Sequence, residues 1–137
     1  MATREEIAEF MSAEFPHSKC VVMSVGEGKA KVTLATGPHD LRPGGTISGP
    51  TLMSVADLAL YVAVLGEIGI LPLAVTTSLS INFLRKPSSG TNIIGECKLL
   101  KLGKSLAVGE VWLYSEGKED PVAHAVGTYS IPPFARG

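Results

Sequence analysis

Residues 42–66 read RPGGTISGPTLMSVADLALYVAVLG, and the fold turns on this stretch. It opens as a glycine- and proline-rich loop, Pro43 to Gly49, and then becomes a helix. Pro50 suits the first helical position, where a missing N–H costs nothing. From Thr51 to Leu65 the residues are apolar or small on every side. A helix apolar all round is one that the remainder of a fold must wrap. One charge, Asp57, sits inside it. An ionised carboxylate in such a setting is costly unless it is paired or hydrogen-bonded. Its helical neighbours Met53, Ser54, Leu60 and Tyr61 include no cation. It lies too far from the helix start to cap it. Asp57 therefore needs a partner from elsewhere, or it faces a site. Gly49 precedes the apolar run, and its N–H points out of the helix start without an intrahelical acceptor. Such an amide is a donor for an oxyanion. A carboxylate and an oxyanion donor make up half of an acyl-transfer site.

Working outward, the composition is globular with an apolar bias, 45% hydrophobic and 18% charged. That bias predicts surface buried between subunits as well as within them. A net charge of −1 gives no reason to expect nucleic acid or an acidic membrane surface as a partner. Glu5, Glu6 and Glu9 are wrong for a signal peptide. The run from Thr51 to Leu65 is short for a bilayer and carries a central carboxylate. Cys20 and Cys97 form no metal or redox motif, so the expected compartment is the reducing cytoplasm.

On the N-terminal side, Thr3 and Glu6 read as a capping box that starts a short amphipathic helix carrying Ile7, Phe10, Met11 and Phe15. That helix is expected to pack on the outside and to end at Pro16. Residues 20–25 and 29–34 are strand-like and joined by the turn signal Gly26-Glu27-Gly28. A polar loop, 35–41, follows. On the C-terminal side, Gly66 to Pro72 is a break. A long alternating strand runs over 73–84, with a turn at 85–90 and further strands over 92–101, 105–115 and 122–131. No linker or repeat divides the chain, so one domain, 1–137, is expected, with the N-terminal helix in 1–16. Consecutive strands joined by short turns form an antiparallel sheet, and a buried helix lies along its face. The predicted class is α+β, a sheet curled round one central helix.

This layout resembles the hotdog fold. Ser48-Gly49-Pro50-Thr51-Leu52-Met53-Ser54-Val55-Ala56-Asp57 and Ile81-Asn82-Phe83-Leu84-Arg85-Lys86-Pro87 are similar to the PaaI-like (phenylacetate-degradation) branch of acyl-CoA thioesterases. The resemblance spans roughly residues 19–131. Such proteins usually carry His-Gly-Gly with an acidic residue seven positions after the second glycine, and Asp57 stands seven after Pro50. The resemblance implies Asp57 as general base or nucleophile and the Gly49 amide as oxyanion donor. Thr76 or Thr77 would orient the attacking water. It further implies that one site draws on two subunits, so the active unit is a homodimer, often doubled to a homotetramer. The substrate would be an acyl-CoA, with coenzyme A part of the substrate and no other cofactor.

Three departures stand out. The family histidine is Ser48, the second glycine is Pro50, and an asparagine six residues before the histidine is Arg42. Ser48 keeps a hydrogen-bonding group, and Arg42 is placed to pair with Asp57 or to hold a substrate anion. Arg85 and Lys86, and Lys104 in a turn, are candidates for the coenzyme A phosphates, while Asn82, in the matching strand, and Pro50 are further candidate substrate-binding residues. Leu52, Met53, Leu60 and Tyr61 suggest a pocket for an apolar or aromatic acyl chain. His17, His39 and His124 share no metal-ligand spacing. Two rivals remain: a hotdog protein that binds an acyl ligand without turnover, for which the replaced histidine speaks, and a hydratase, against which the absence of a histidine in the central helix speaks.

Overall fold

The computed structural model describes residues 1–88 and 90–133. Ser89, in the expected 85–90 turn, and residues 134–137 of the expected domain lie outside the described residues. Helix α1 (Arg4–Glu14) begins as its sequence dictates. Thr3 Oγ1 accepts the Glu6 N–H at 3.1 Å, and Glu6 Oε1 accepts the Thr3 N–H at 2.9 Å. This donated bond holds the Glu6 carboxyl below the usual range. The helix is less peripheral than expected, because Ile7 and Met11 enter the core. Phe10 and Phe15 meet the Tyr61 ring at 6.4 and 6.2 Å.

Strands β1 (Cys20–Gly26) and β2 (Lys29–Leu34) form the expected hairpin. The polar loop after them holds a 3-10 turn, Pro38–Asp40, that the sequence did not announce. Asp40 ties this turn to the central helix. Its Oδ2 accepts the Gly37 N–H at 2.8 Å and its Oδ1 accepts the Thr51 hydroxyl at 3.3 Å. Strands β3 (Val75–Phe83), β4 (Ile93–Leu102), β5 (Leu106–Ser115) and β6 (Ala123–Ser130) complete one antiparallel sheet of order β1-β2-β4-β5-β6-β3.

Helix α2 (Gly49–Ile68) lies along the concave face of this sheet and packs against all six strands. It runs three residues past the expected end. Gly66 is a packing glycine, not a terminator: a Cβ there would collide with Val25 of β1. The helix stops instead at Gly69, which takes φ 94°, a conformation costly for other residues. At 20 residues α2 is long and apolar enough to cross a bilayer, unlike the shorter run read from the sequence. Here its apolar surface is covered by the sheet. Leu60, fully buried, is wedged onto two facing glycines. A Cβ at Gly109 or at Gly127 would come within 2.6 Å of a Leu60 methyl. The bare backbone at these two positions lets the helix sit close to the sheet. Leu60 is thus a core residue and lines neither site cavity, contrary to its expected place in an acyl pocket.

Candidate active site

Asp57 lies near the middle of α2 and opens into a cavity of about 370 Å³ with Phe15, Leu58, Tyr61, Val75, Thr76 and Tyr129 in its walls. Its partners come from the β3–β6 pair. The Thr76 hydroxyl donates to Asp57 Oδ1 at 2.6 Å, and the Tyr129 hydroxyl reaches the same oxygen at 3.1 Å. Thr76 and Tyr129 face each other across the two strands. A β-bulge at Thr77 sets this arrangement, since Tyr129 pairs with Thr76 while the next pair is Ser78 with Thr128. Without the extra residue, strict alternation would turn Thr77 toward the helix. Instead the Thr77 hydroxyl donates to the Thr128 carbonyl at 3.3 Å, so of the two threonines only Thr76 touches the carboxylate.

Tyr129 was not singled out in the sequence. Its signal was an aromatic hydroxyl at an inward-facing position of an alternating strand, which needs a buried partner. Its ring stacks on Tyr61, with centroids 5.7 Å apart. Burial, and after it the nearby Asp57 charge, pushes the Tyr129 phenol well above the usual range. It is a proton donor at neutral pH, not a base. Burial also raises Tyr61, with Glu14 adding to it.

Gly49 occupies a second cavity, of about 540 Å³, at the N-terminal end of the helix. Arg42, Leu52, Phe83, Arg85 and Lys86 share its walls. The Gly49 N–H has no hydrogen-bond acceptor among the described residues. The tip of the Phe83 ring approaches this glycine, so that a Cβ there would sit 3.3 Å from its Cζ. The three cations give the cavity a positive rim, with Arg85 also 3.5 Å from Asp120.

Other expected residues fall elsewhere. Ser48 is the N-cap of α2: its Oγ accepts the Thr51 N–H at 3.3 Å and donates to the Thr51 hydroxyl at 3.0 Å. Its hydroxyl is therefore spent on the helix start. Pro50 lies in the first turn, exposed, and lines neither cavity. Arg42 does not pair with Asp57 within the chain, since the two belong to different cavities. Asn82 faces the outer side of the sheet opposite His124, which is held by Glu110 at 2.8 Å and packs at a tilt against Trp112. Lys104 sits in the β4–β5 turn, away from both cavities. Met53 is exposed outside both. Among the described residues no group of three or more His, Cys, Asp or Glu could hold a metal.

The sequence profile of the thioesterase superfamily matches residues 44–122, from the loop before α2 to the start of β6. A candidate thioesterase from Silicibacter sp. TM1040 shares 41% identity over 96% of this chain and 92% of its own, at a TM-score of 0.88. The phenylacetic acid degradation protein PaaI from Thermus thermophilus, solved as a point mutant, shares 26% over 90% of this chain and 99% of its own, at 0.74. Zebrafish thioesterase superfamily member 2, at 21% identity over 96% of this chain and 100% of its own, has the same fold with a TM-score of 0.84. No curated protein sequence matches. With more than half of its length matched by the family profile, and with a sheet wrapped round a helix that carries a buttressed carboxylate, the chain belongs to the thioesterase superfamily and is a thioester hydrolase of the PaaI-like hotdog type.

Proposed function

We propose that the protein hydrolyses an acyl-CoA, with Asp57 as the base or nucleophile and the Gly49 amide as oxyanion donor. The observation that carries this reading is the Asp57 carboxylate, held by two hydroxyls in an apolar-walled cavity with no cation beside it. As a base, the carboxylate takes a proton from water while the water oxygen bonds to the thioester carbon. The C–S bond then breaks, and the departing thiolate takes up that proton. As a nucleophile, the carboxylate bonds to the carbon itself, expels the thiolate and leaves an anhydride that water cleaves. In both routes negative charge develops on the carbonyl oxygen, which an unsatisfied backbone N–H stabilises.

Gly49 and Asp57 are eight residues apart on one helix, about 12 Å at 1.5 Å per residue. One carbonyl must lie about 3 Å from each. We therefore place the active site between two copies of the chain, the glycine of one facing the carboxylate of the other. The free edge at β3 supports this assembly: it carries Val75 and Phe83 at 54% and 52% exposure and offers an unpaired row of backbone groups. Arg42, Arg85 and Lys86 beside Gly49 would receive the phosphates of coenzyme A, and Leu58, Tyr61 and Phe15 the acyl group. An apolar or aromatic acyl group fits those walls. The two free thiols, Cys20 and Cys97, suit the reducing cytoplasm.

The test is free-thiol release from short, medium, long and aryl acyl-CoAs by the wild type and by Asp57→Asn. A loss of about a hundredfold or more with fold and oligomer size unchanged supports the reading. Binding of every acyl-CoA with turnover of none would replace it by a ligand-binding role.

A further inference from the structure

Asp57 has two oxygens in very different surroundings. Oδ1 takes both hydroxyls, from Thr76 at 2.6 Å and from Tyr129 at 3.1 Å. Oδ2 has no hydrogen bond among the described residues. We infer that Oδ2 is the reacting atom of Asp57 and that Tyr129 is a positioning residue, acting with Thr76 to lock the carboxylate and aim that oxygen at the substrate.

The argument rests on the catalytic reading of Asp57 and runs through three observations. First, a hydrogen bond to a carboxylate oxygen reduces that oxygen's own tendency to take a proton or attack carbon, and two such bonds fall on one atom. Reaction is left to the other. Second, each hydroxyl has a single hydrogen: Thr76 lies close to the Tyr129 oxygen as well, but its 2.6 Å contact with the charged Oδ1 is the bond that takes its proton. The Tyr129 oxygen also lies 3.4 Å from the Asp57 backbone carbonyl, but the shorter, charge-assisted bond to Oδ1 takes its proton. Thr76 thus gives its one hydrogen to Oδ1, and any hold it has on the attacking water runs through its oxygen as an acceptor. Third, the donors are themselves rigid. Tyr129 is buried and stacked on Tyr61, and Thr76 is fixed opposite it by the bulge at Thr77. A carboxylate on an unsupported side chain would swing between rotamers, and small misplacement of a reacting group costs large factors in rate. Here two strands hold what the helix presents.

The experiment measures kcat and KM for acyl-CoA hydrolysis in Tyr129→Phe, Thr76→Val and Thr76→Ser beside wild type and Asp57→Asn, at a temperature where all remain folded by circular dichroism. Tyr129→Phe keeps the ring on Tyr61 and loses only the hydroxyl. Its kcat is expected to fall about tenfold with KM within about twofold, as is that of Thr76→Val, while Thr76→Ser recovers most of the rate. A residue with a merely structural role would lower the melting temperature and leave kcat of the folded enzyme alone. Wild-type kcat in both Tyr129→Phe and Thr76→Val, with Asp57→Asn inactive, overturns the positioning role and leaves Asp57 catalytic. Wild-type kcat in Asp57→Asn overturns the catalytic reading itself, and this inference falls with it. Should Tyr129→Phe fail to fold, the Thr76→Val and Thr76→Ser pair decides: equal rates in the two sink the proposal.

Discussion

Gly49 and Asp57 belong to the same helix yet open into different cavities. A chain built this way presents a free backbone amide at one end of the helix and a carboxylate further along, too far apart to meet on one carbonyl. Two chains, one carrying Asp57→Asn and the other Gly49→Val, should each be inactive alone. Co-expressed and purified as the mixed dimer, they should recover about half of the wild-type rate, since one of two equivalent sites regains both native groups. An inactive mixed dimer would overturn the pairing of Gly49 with Asp57 across two copies.

The cluster of Arg42, Arg85 and Lys86 beside Gly49 predicts a binding effect, not a chemical one. Replacing all three by alanine should raise KM for acyl-CoA about tenfold or more, the loss of at least one charge-assisted contact, with kcat nearly kept. A thioester lacking the nucleotide should be hydrolysed equally by both proteins. Equal KM values for acyl-CoA would remove the phosphates from this cavity.

Leu60 and the glycines beneath it predict coupled stability effects. Leu60→Ala should cost roughly 2–5 kcal/mol by leaving a cavity, and Gly127→Ala about 1–3 kcal/mol by overpacking. Because the alanine methyl would fill space that Leu60 vacates, the double variant should cost less than the sum of the singles. Urea denaturation of the four proteins gives the comparison, and strict additivity would contradict the wedge.

Alkaline pH should loosen the fold. Burial pushes the Cys97 thiol from 9.0 up to about 12, and Cys20 from 9.0 up to about 11. Tyr129 is raised from 10.0 by burial as well. The unfolded chain releases these protons near pH 9–10 while the folded chain still holds them, so the unfolded state binds fewer protons and stability falls as pH rises above about 9. Melting temperatures between pH 7 and 10.5 should decline in the wild type. Cys97→Ala, though less stable at neutral pH, should decline less steeply; parallel curves would show that this thiol contributes nothing.

Much of this was legible in the chain because it is local. The capping box at Thr3 and Glu6, the hairpin at 26–28, the alternation of the later strands and the apolar central helix all depend on residues close in sequence. What escaped was set by pairing across the fold. Whether Thr76 or Thr77 meets Asp57 depends on one bulged residue, and a bulge exists only relative to a partner strand. Tyr129 joins the site from 72 positions away, through the β3–β6 register. Gly66 looked like a terminator because a glycine's lack of side chain reads the same whether it ends a helix or lets Val25 approach. Ser48 looked like a substrate group until its hydroxyl was found on Thr51, whereas the lining of a cavity by Leu52 but not Leu60 follows from helix rotation against the sheet.

The order of elements along the chain gives α2 a hazardous interval during synthesis. Its 20 residues, most of them apolar, leave the ribosome before β3, β4, β5 and β6, the strands that cover much of it, have been made. Through that time it is a helix long and apolar enough, by length and composition, to cross a bilayer. Asp57 stands near its midpoint, where a carboxylate adds about 3 kcal/mol to the cost of entering a bilayer. The carboxylate proposed to act on the thioester thus also makes this helix costlier to place in a bilayer than its length and apolar residues alone would.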